Sequence, residues 1–152
     1  MTDILLTAHV IAAILTLGPV AVAGSMFPTF ARTLVGDPTD EGARAVAQTL
    51  HRICRVYSLI GTAIPTFGII VAIDRHKFDQ TWLLASIALT AVAAAVLSLG
   101  VLPAQRRVLS GAAEGSSVSR IAMLTGLFNL AWVIIAVLMV IQPGAPHPGG
   151  ST

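Results

Sequence analysis

The chain has 152 residues, of which 55% are hydrophobic and only 11% charged, whereas a soluble domain carries roughly 25% charged residues. Its mean hydropathy of +0.85 excludes an ordinary water-soluble core, and its net charge of +2 comes without the basic, aromatic-interleaved stretch that nucleic-acid binding needs. What remains is an all-α integral membrane protein, in which four transmembrane helices of roughly 20 residues each leave no chain for a second domain.

The first apolar run gives a span over 4–27. It is longer than a signal-peptide core of roughly 7 to 15 residues and no basic segment precedes it, so it reads as a retained helix. Gly18-Pro19 is expected to kink it, because proline removes a helical donor and its ring clashes with the preceding turn. The segment from Arg32 to Arg55 is the most polar. Within it Asp37-Pro38, followed by Asp40 and Glu41, reads as a helix start. Val46, Leu50, Ile53 and Tyr57 then fall on one stripe at helical spacing. This predicts a cytoplasmic amphipathic extension over 38–53 that feeds a second span over 54–73, with Pro65 as a kink. Cys54 is the single cysteine; it has no internal disulfide partner and reads as a small buried apolar residue.

Asp74-Arg75-His76-Lys77 reads as a tight polar turn. Trp82, a residue type enriched at headgroup level, opens a third span over 82–102, and Pro103 is expected to end it. Ser86, Thr90, Ala94 and Ser98 recur four apart, a ridge of small residues suited to close helix packing rather than to chemistry. Arg106 to Arg120 reads as a loop, and the fourth span, 121–141, stops at Gln142-Pro143-Gly144. The tail over 143–152 is expected to be disordered.

Arg32, Arg44, Arg52, Arg55, Arg106, Arg107 and Arg120 flank one side of these spans, against Arg75 and Lys77 on the other. The positive-inside rule then gives a four-helix bundle with both termini outside the cytoplasm, N-out/C-out. The Arg- and Ala-rich bias fits a GC-rich bacterial genome, hence the bacterial cytoplasmic (inner) membrane. In that topology His9 and His51 lie at opposite faces of a hydrocarbon core roughly 30 Å thick, so they cannot share one iron.

His9 lies about 7 Å into the first span, and an ionisable group at that depth has three readings: a neutral histidine bonded to a neighbouring helix, a haem or metal ligand, or a proton relay. Asn129, in the middle of the fourth span, needs a partner, either across a helix interface or in a cavity wall. Trp132 shares its face, as packing or as a stacking platform. Met139 could add a thioether ligand on the same outer side as His9. None of these has metal-ligand spacing within its own segment. No carboxylate occurs within a predicted span, and there is no nucleophile, phosphate-loop or zinc motif. No catalytic residue is therefore assigned, and any chemistry would reside in a bound cofactor.

Thr7-Ala8-His9-Val10-Ile11 resembles the opening of small bacterial membrane proteins whose first helix carries one histidine near its outer end, among them HemJ-type protoporphyrinogen oxidases and CopD-type copper-resistance proteins. Arg55-Val56-Tyr57 through Ile60, Thr62, Thr66 and Gly68 resembles the second helix of the HemJ group. Leu138-Met139-Val140-Ile141-Gln142-Pro143-Gly144 is similar to the end of the fourth helix in an uncharacterised family of predicted integral membrane proteins. The resemblance implies a four-helix membrane fold and haem b or a related tetrapyrrole as cofactor, with His9 as its ligand. The third-helix lysine of the HemJ group is absent from Trp82 to Leu102, and the proline expected after Thr62 is displaced to Pro65, so oxidase activity is not carried over.

The expected function is thus non-catalytic binding or passing on of haem or a related tetrapyrrole. His9 would be the metal ligand, and Asn129, Trp132 and Met139 would be further cofactor-binding residues. Two expectations compete with it. One is an accessory subunit of a larger respiratory or transport complex. The other is an oligomeric transporter or channel. Beyond the lipid bilayer, the partners expected are such a complex or further copies of the chain.

Overall fold

In the computed structural model the chain forms α1 (Thr2–Gly36), α2 (Glu41–Asp74), α3 (Thr81–Ala95), a π-helical segment (Val96–Val101), α4 (Leu102–Leu109) and α5 (Gly115–Ile141). The structure describes residues 2–74, 81–113, 115–141 and 143, and the side chains of 9–61, 65, 81–113, 115–141 and 143. Arg75, His76 and Lys77 of the expected turn, Gln142, and the tail from residue 144 lie outside the described residues. Among the described residues three helical stretches, His9–Gly36, Thr81–Leu109 and Gly115–Ile141, are long and apolar enough to cross a membrane.

The distribution of side-chain size supports a lipid environment. Large apolar residues point outward, with Val140 84%, Leu99 78% and Leu59 69% exposed, whereas Ala23, Ala31, Ala47, Ala93 and Ala131 are buried. A soluble monomer rarely exposes apolar patches beyond a few hundred Å². Without a hydrophobic drive between helices, small residues let the backbones approach and gain dispersion contact. The architecture is that of a multi-pass membrane protein.

The prolines do not break these helices. Pro19 and Pro28 sit inside α1, and Pro65 sits inside α2. Pro103 was expected to end the third span, but the helical rod continues through it to Leu109. The reason is the π-helical segment immediately before it. There the Leu102 N–H donates to the Leu97 carbonyl five residues back, and this widened turn makes room for the proline ring that an ordinary α-turn would exclude. Arg106 and Arg107 are therefore helical, and the expected loop over 106–120 shrinks to the short connection between Leu109 and Gly115.

That connection begins with Gly111 at φ 73°. The Gly111 N–H donates to the Val108 carbonyl at 3.1 Å and the Ala112 N–H to the Arg107 carbonyl at 3.0 Å, a Schellman closure that needs a left-handed residue. The expected start of α2 is present too. Asp40 Oδ1 accepts from the Ala43 N–H at 2.8 Å, capping the helix at Glu41. One turn earlier, Asp37 Oδ1 accepts from the Thr39 N–H at 2.9 Å and from the Thr39 hydroxyl at 2.6 Å. These two bonds, side chain before backbone, hold the Asp37 carboxyl below the usual carboxylate range. Arg44 then ties both turns together, donating to the Leu109 carbonyl at 2.9 Å and to the Pro38 carbonyl at 3.1 Å, where it also meets the negative end of α4.

One core cluster, including Ala31, Leu34, Ala43, Ala47, Val108, Val118 and Ile121, fills this end of the bundle. A second, of Val20, Ala93, Leu97, Val101, Phe128 and Ala131, fills the middle. Between them α1 and α5 touch closely, since a Cβ on Gly24 would lie 3.0 Å from Thr125 Cγ2, whereas one on Gly18 would meet nothing within 4 Å. Gly24→Val is accordingly expected to destabilise the bundle by about 1–3 kcal/mol through overpacking. Gly18→Ala should be neutral or slightly stabilising. Thermal unfolding of both variants in the same detergent checks the contrast.

Candidate functional site

Helix pairing orders the four sequence-derived candidates by depth. On α1, His9 continues at helical spacing the stripe of Thr16 and Val20, both buried, and is itself half-buried. On α5, Met139 follows the buried Phe128 and Ile135 at helical spacing but is itself exposed. The antiparallel contact of Gly24 with Thr125 and of Ser25 with Asn129 sets Met139 level with the first turns of α1 after His9. Trp132 lies about 10 Å deeper than Met139, and Asn129 about 5 Å deeper again. The four therefore do not converge on one point. His9 and Met139 share one end, and Trp132 and Asn129 lie towards the middle.

Asn129 has the interhelical partner that a buried amide needs: its Nδ2 donates to Ser25 Oγ on α1 at 3.1 Å. Its Oδ1 is buried with no partner. Trp132 packs edge-to-face on Phe128, with ring centroids 6.2 Å apart and planes at 69°, and its indole Nε1 is likewise buried without an acceptor.

Trp132 also forms part of the wall of a cleft of about 40 Å³ between α1, α2, α3 and α5. Its apolar lining includes Leu17, Val20 and Phe128, and its polar lining includes Tyr57, Ser58, Thr90 and Ser98. Three members of the small-residue ridge, Thr90, Ala94 and Ser98, thus face a cleft, while Ser86 is buried. The expectation of a pure packing face is corrected to that extent, because Ala93, Leu97 and Val101 supply the packing. Thr90 satisfies its hydroxyl on the Ser86 carbonyl at 2.7 Å, and Ser58 on the Arg55 carbonyl at 2.8 Å. Trp132 is a wall residue whose donor is buried without such an outlet. Pro65, also in the wall, removes the N–H that would cap the Gly61 carbonyl one turn earlier.

The cleft has room for a few water-sized groups, far below the roughly 300–1,000 Å³ of a drug-sized pocket. Leu17, its nearest residue on α1, lies about 12 Å along the helix from His9. A tetrapyrrole ring seated in the cleft and ligated by His9 does not fit this arrangement. Among the described residues no cluster of three or more His, Cys, Asp or Glu side chains could hold a metal ion.

A second polar constellation, missed in the sequence because Gln105 follows a proline expected to end the helix, joins α2 to α4. His51 Nδ1 and Gln105 Oε1 are 2.9 Å apart, and Gln105 Nε2 lies 3.8 Å from Cys54 Sγ. Gln105 and Cys54 are both fully buried. With its oxygen towards His51, the amide fixes the imidazole proton on Nδ1. Gly61 packs against Thr16 on α1, and His51 lies ten residues before Gly61. That places His51 about 25 Å from His9 along the bundle.

Comparison with protein families, with characterised proteins and with solved structures gives no significant match. The functional reading therefore rests on the residues themselves. For the clamp, Gln105→Leu removes an amide and strands the half-buried His51, so a loss of about 1–3 kcal/mol is expected. Gln105→Glu, which keeps an acceptor towards His51, should lose less. Denaturation midpoints of the two variants measured in the same detergent test the difference.

Proposed function

We propose that the chain is a non-catalytic, membrane-embedded binding protein for a lipid-soluble small molecule that presents a hydrogen-bond acceptor, such as a carbonyl or carboxylate, to the central cleft. The observation that carries this reading is the Trp132 indole N–H, buried without an acceptor in the cleft wall. An unmade hydrogen bond of this kind is costly in hydrocarbon, and a ligand that supplies the acceptor recovers the cost. Given the size of the cleft, the ligand inserts its polar head there and leaves its apolar body along the exposed faces of the helices.

A second reading keeps haem or a related tetrapyrrole but places it at the other end of α1 and α5. It is favoured by the half-buried His9 and the exposed Met139, which share that depth, a nitrogen and a thioether of the kind that serve as paired axial ligands. The two readings separate in one titration. Detergent-purified protein is titrated with haemin and, independently, with a short-chain benzoquinone. If the cleft binds, Trp132→Phe weakens quinone affinity about five- to tenfold, the value of one hydrogen bond, while His9→Ala leaves it unchanged. If the tetrapyrrole reading holds, a Soret band forms with haemin and disappears in His9→Ala. Saturable binding of neither probe overturns both.

The same proposal sets the protein in a bacterial inner membrane, with α2 as a fourth span and both termini outside. It is supported by Arg52, Arg55, Arg106, Arg107 and Arg120, which are exposed near one end of the bundle, where basic residues mark the cytoplasmic face. Cys54 is fully buried, so the native thiol cannot report sidedness. In a Cys54→Ser background, Ala112→Cys, in the exposed turn between α4 and α5, should react with an impermeant maleimide only after the cells are permeabilised. Labelling of intact cells reverses the orientation.

A further inference from the structure

The Gln105 clamp also gathers positive charge on the outside of α2 and α4. Gln105 lies against His51 and Cys54, and each residue of that contact is followed in the chain by an arginine: Arg52, Arg55 and Arg106. All three are exposed. At 1.5 Å per residue they lie within about 6 Å of one level along the bundle. Arg55 stands one turn beyond His51, on the side of α2 that meets α4. Arg106 stands one turn before Leu109, whose carbonyl accepts from Arg44 of α2. Arg55 and Arg106 therefore flank the same α2–α4 contact from opposite helices.

These charges are unspent. Arg44 is half-buried and places its N–H groups on two carbonyls, whereas Arg52, Arg55 and Arg106 have no hydrogen bond or ion pair among the described residues. The nearest carboxylate before them on α2 is Glu41, about 16 Å from Arg52 along the axis. On the other side of the arginines the surface turns apolar at once. Val56 and Leu59 follow on α2, 45% and 69% exposed, and Leu99 precedes Arg106 on the third rod, 78% exposed. Leu59 and Leu99 lie about 6 and 10 Å from the arginine level, towards the hydrocarbon.

We propose that this flank of α2 and α4 binds an anionic phospholipid, its phosphate held by Arg52, Arg55 and Arg106 and an acyl chain laid along Val56, Leu59 and Leu99. The order of the surface is that of the lipid, an anion-binding head followed directly by an exposed apolar face. A guanidinium presents paired, coplanar donors that match two phosphate oxygens, and basic surfaces between membrane helices take up such headgroups. The lipid would join α2 to α4 on the outside, as Gln105 joins them on the inside. The inference is independent of the cleft and its ligand, and it holds whichever leaflet this end of the bundle meets.

The test titrates the full chain in neutral detergent with phosphatidylglycerol and, in parallel, with phosphatidylcholine of the same acyl chains, reading bound lipid by native mass spectrometry. Wild-type protein should retain phosphatidylglycerol with about tenfold preference. Arg55→Gln/Arg106→Gln should lose that preference. Arg32→Gln/Arg120→Gln, which removes the same charge from α1 and α5, should keep it. All four arginines are exposed, and thermal unfolding in lipid-free detergent verifies that both double variants fold. Equal retention of the two lipids by the wild type overturns the proposal whether or not a variant folds. An equal loss of preference in the two double variants overturns it too, since the attraction would then be diffuse. Displacement of the bound lipid by a large excess of inorganic phosphate would make the occupant a soluble phosphate and overturn the lipid assignment.

Discussion

Lipid gives no hydrogen bonds, and that constraint organises this molecule. In water a polar side chain left over by packing is solvated at little cost, but in hydrocarbon each one must find its partner within the protein. The backbone answers by closing its own bonds in long helices. Most short hydroxyls answer in the same way, by returning to a carbonyl of the preceding turn, as Thr16, Ser86 and Thr90 do. Larger polar groups must look across helices, and the two amides that do so, Gln105 to α2 and Asn129 to α1, fix the packing at two different depths. Against this background the unpartnered atoms on α5 mark where the rule is unmet by protein alone.

The same constraint explains why prolines are tolerated. Each proline removes a backbone donor and so threatens to expose a carbonyl to lipid, yet Pro19, Pro28 and Pro65 lie inside helices. In membranes the freed carbonyls can be met by neighbouring helices, hydroxyls, waters or a locally widened turn. The third rod shows the last device. Its π-helical segment admits Pro103 and turns Leu97 and Ser98 towards the cleft. Pro65 lines the same cleft from α2. Two backbone irregularities thus border a single small opening, consistent with irregular membrane backbone being kept where it borders a cavity rather than lipid.

Much of the fold was legible in the sequence because its signals are local. Apolar length marked four spans, three of which correspond to stretches long and apolar enough to cross a membrane among the described residues, and the Asp-Pro and Asp-Glu pattern marked the start of α2, where Asp40 makes the cap. Asn129 announced an interhelical partner because an amide in hydrocarbon is expensive. What could not be read was non-local. Pro103 looked like a stop, since nothing in the letters reveals that the preceding turn will widen, and Gln105 was lost along with the helix that carries it. The small-residue ridge gave its period but not the fact that Thr90, Ala94 and Ser98 face an opening. Thr125 resembled any other helix threonine until its neighbour Gly24 was known.

The two amides also show how depth shapes the use of one chemical group. Gln105 is fully buried and engages its oxygen with His51 and its nitrogen with Cys54, so it acts as a clamp between α2 and α4. Asn129 uses its nitrogen on Ser25 and keeps its oxygen free. Locking the arginine-bearing end through Gln105 and Arg44 holds α2 and α4 in place. Among the described residues the contact of α1 with α5 is then secured by the Asn129–Ser25 hydrogen bond, the close approach at Gly24 and the packing of Val20 with Phe128 and Ala131. The clamps thus lie at one end of the bundle, and the unspent hydrogen-bonding capacity of Asn129 and Trp132 lies towards its middle.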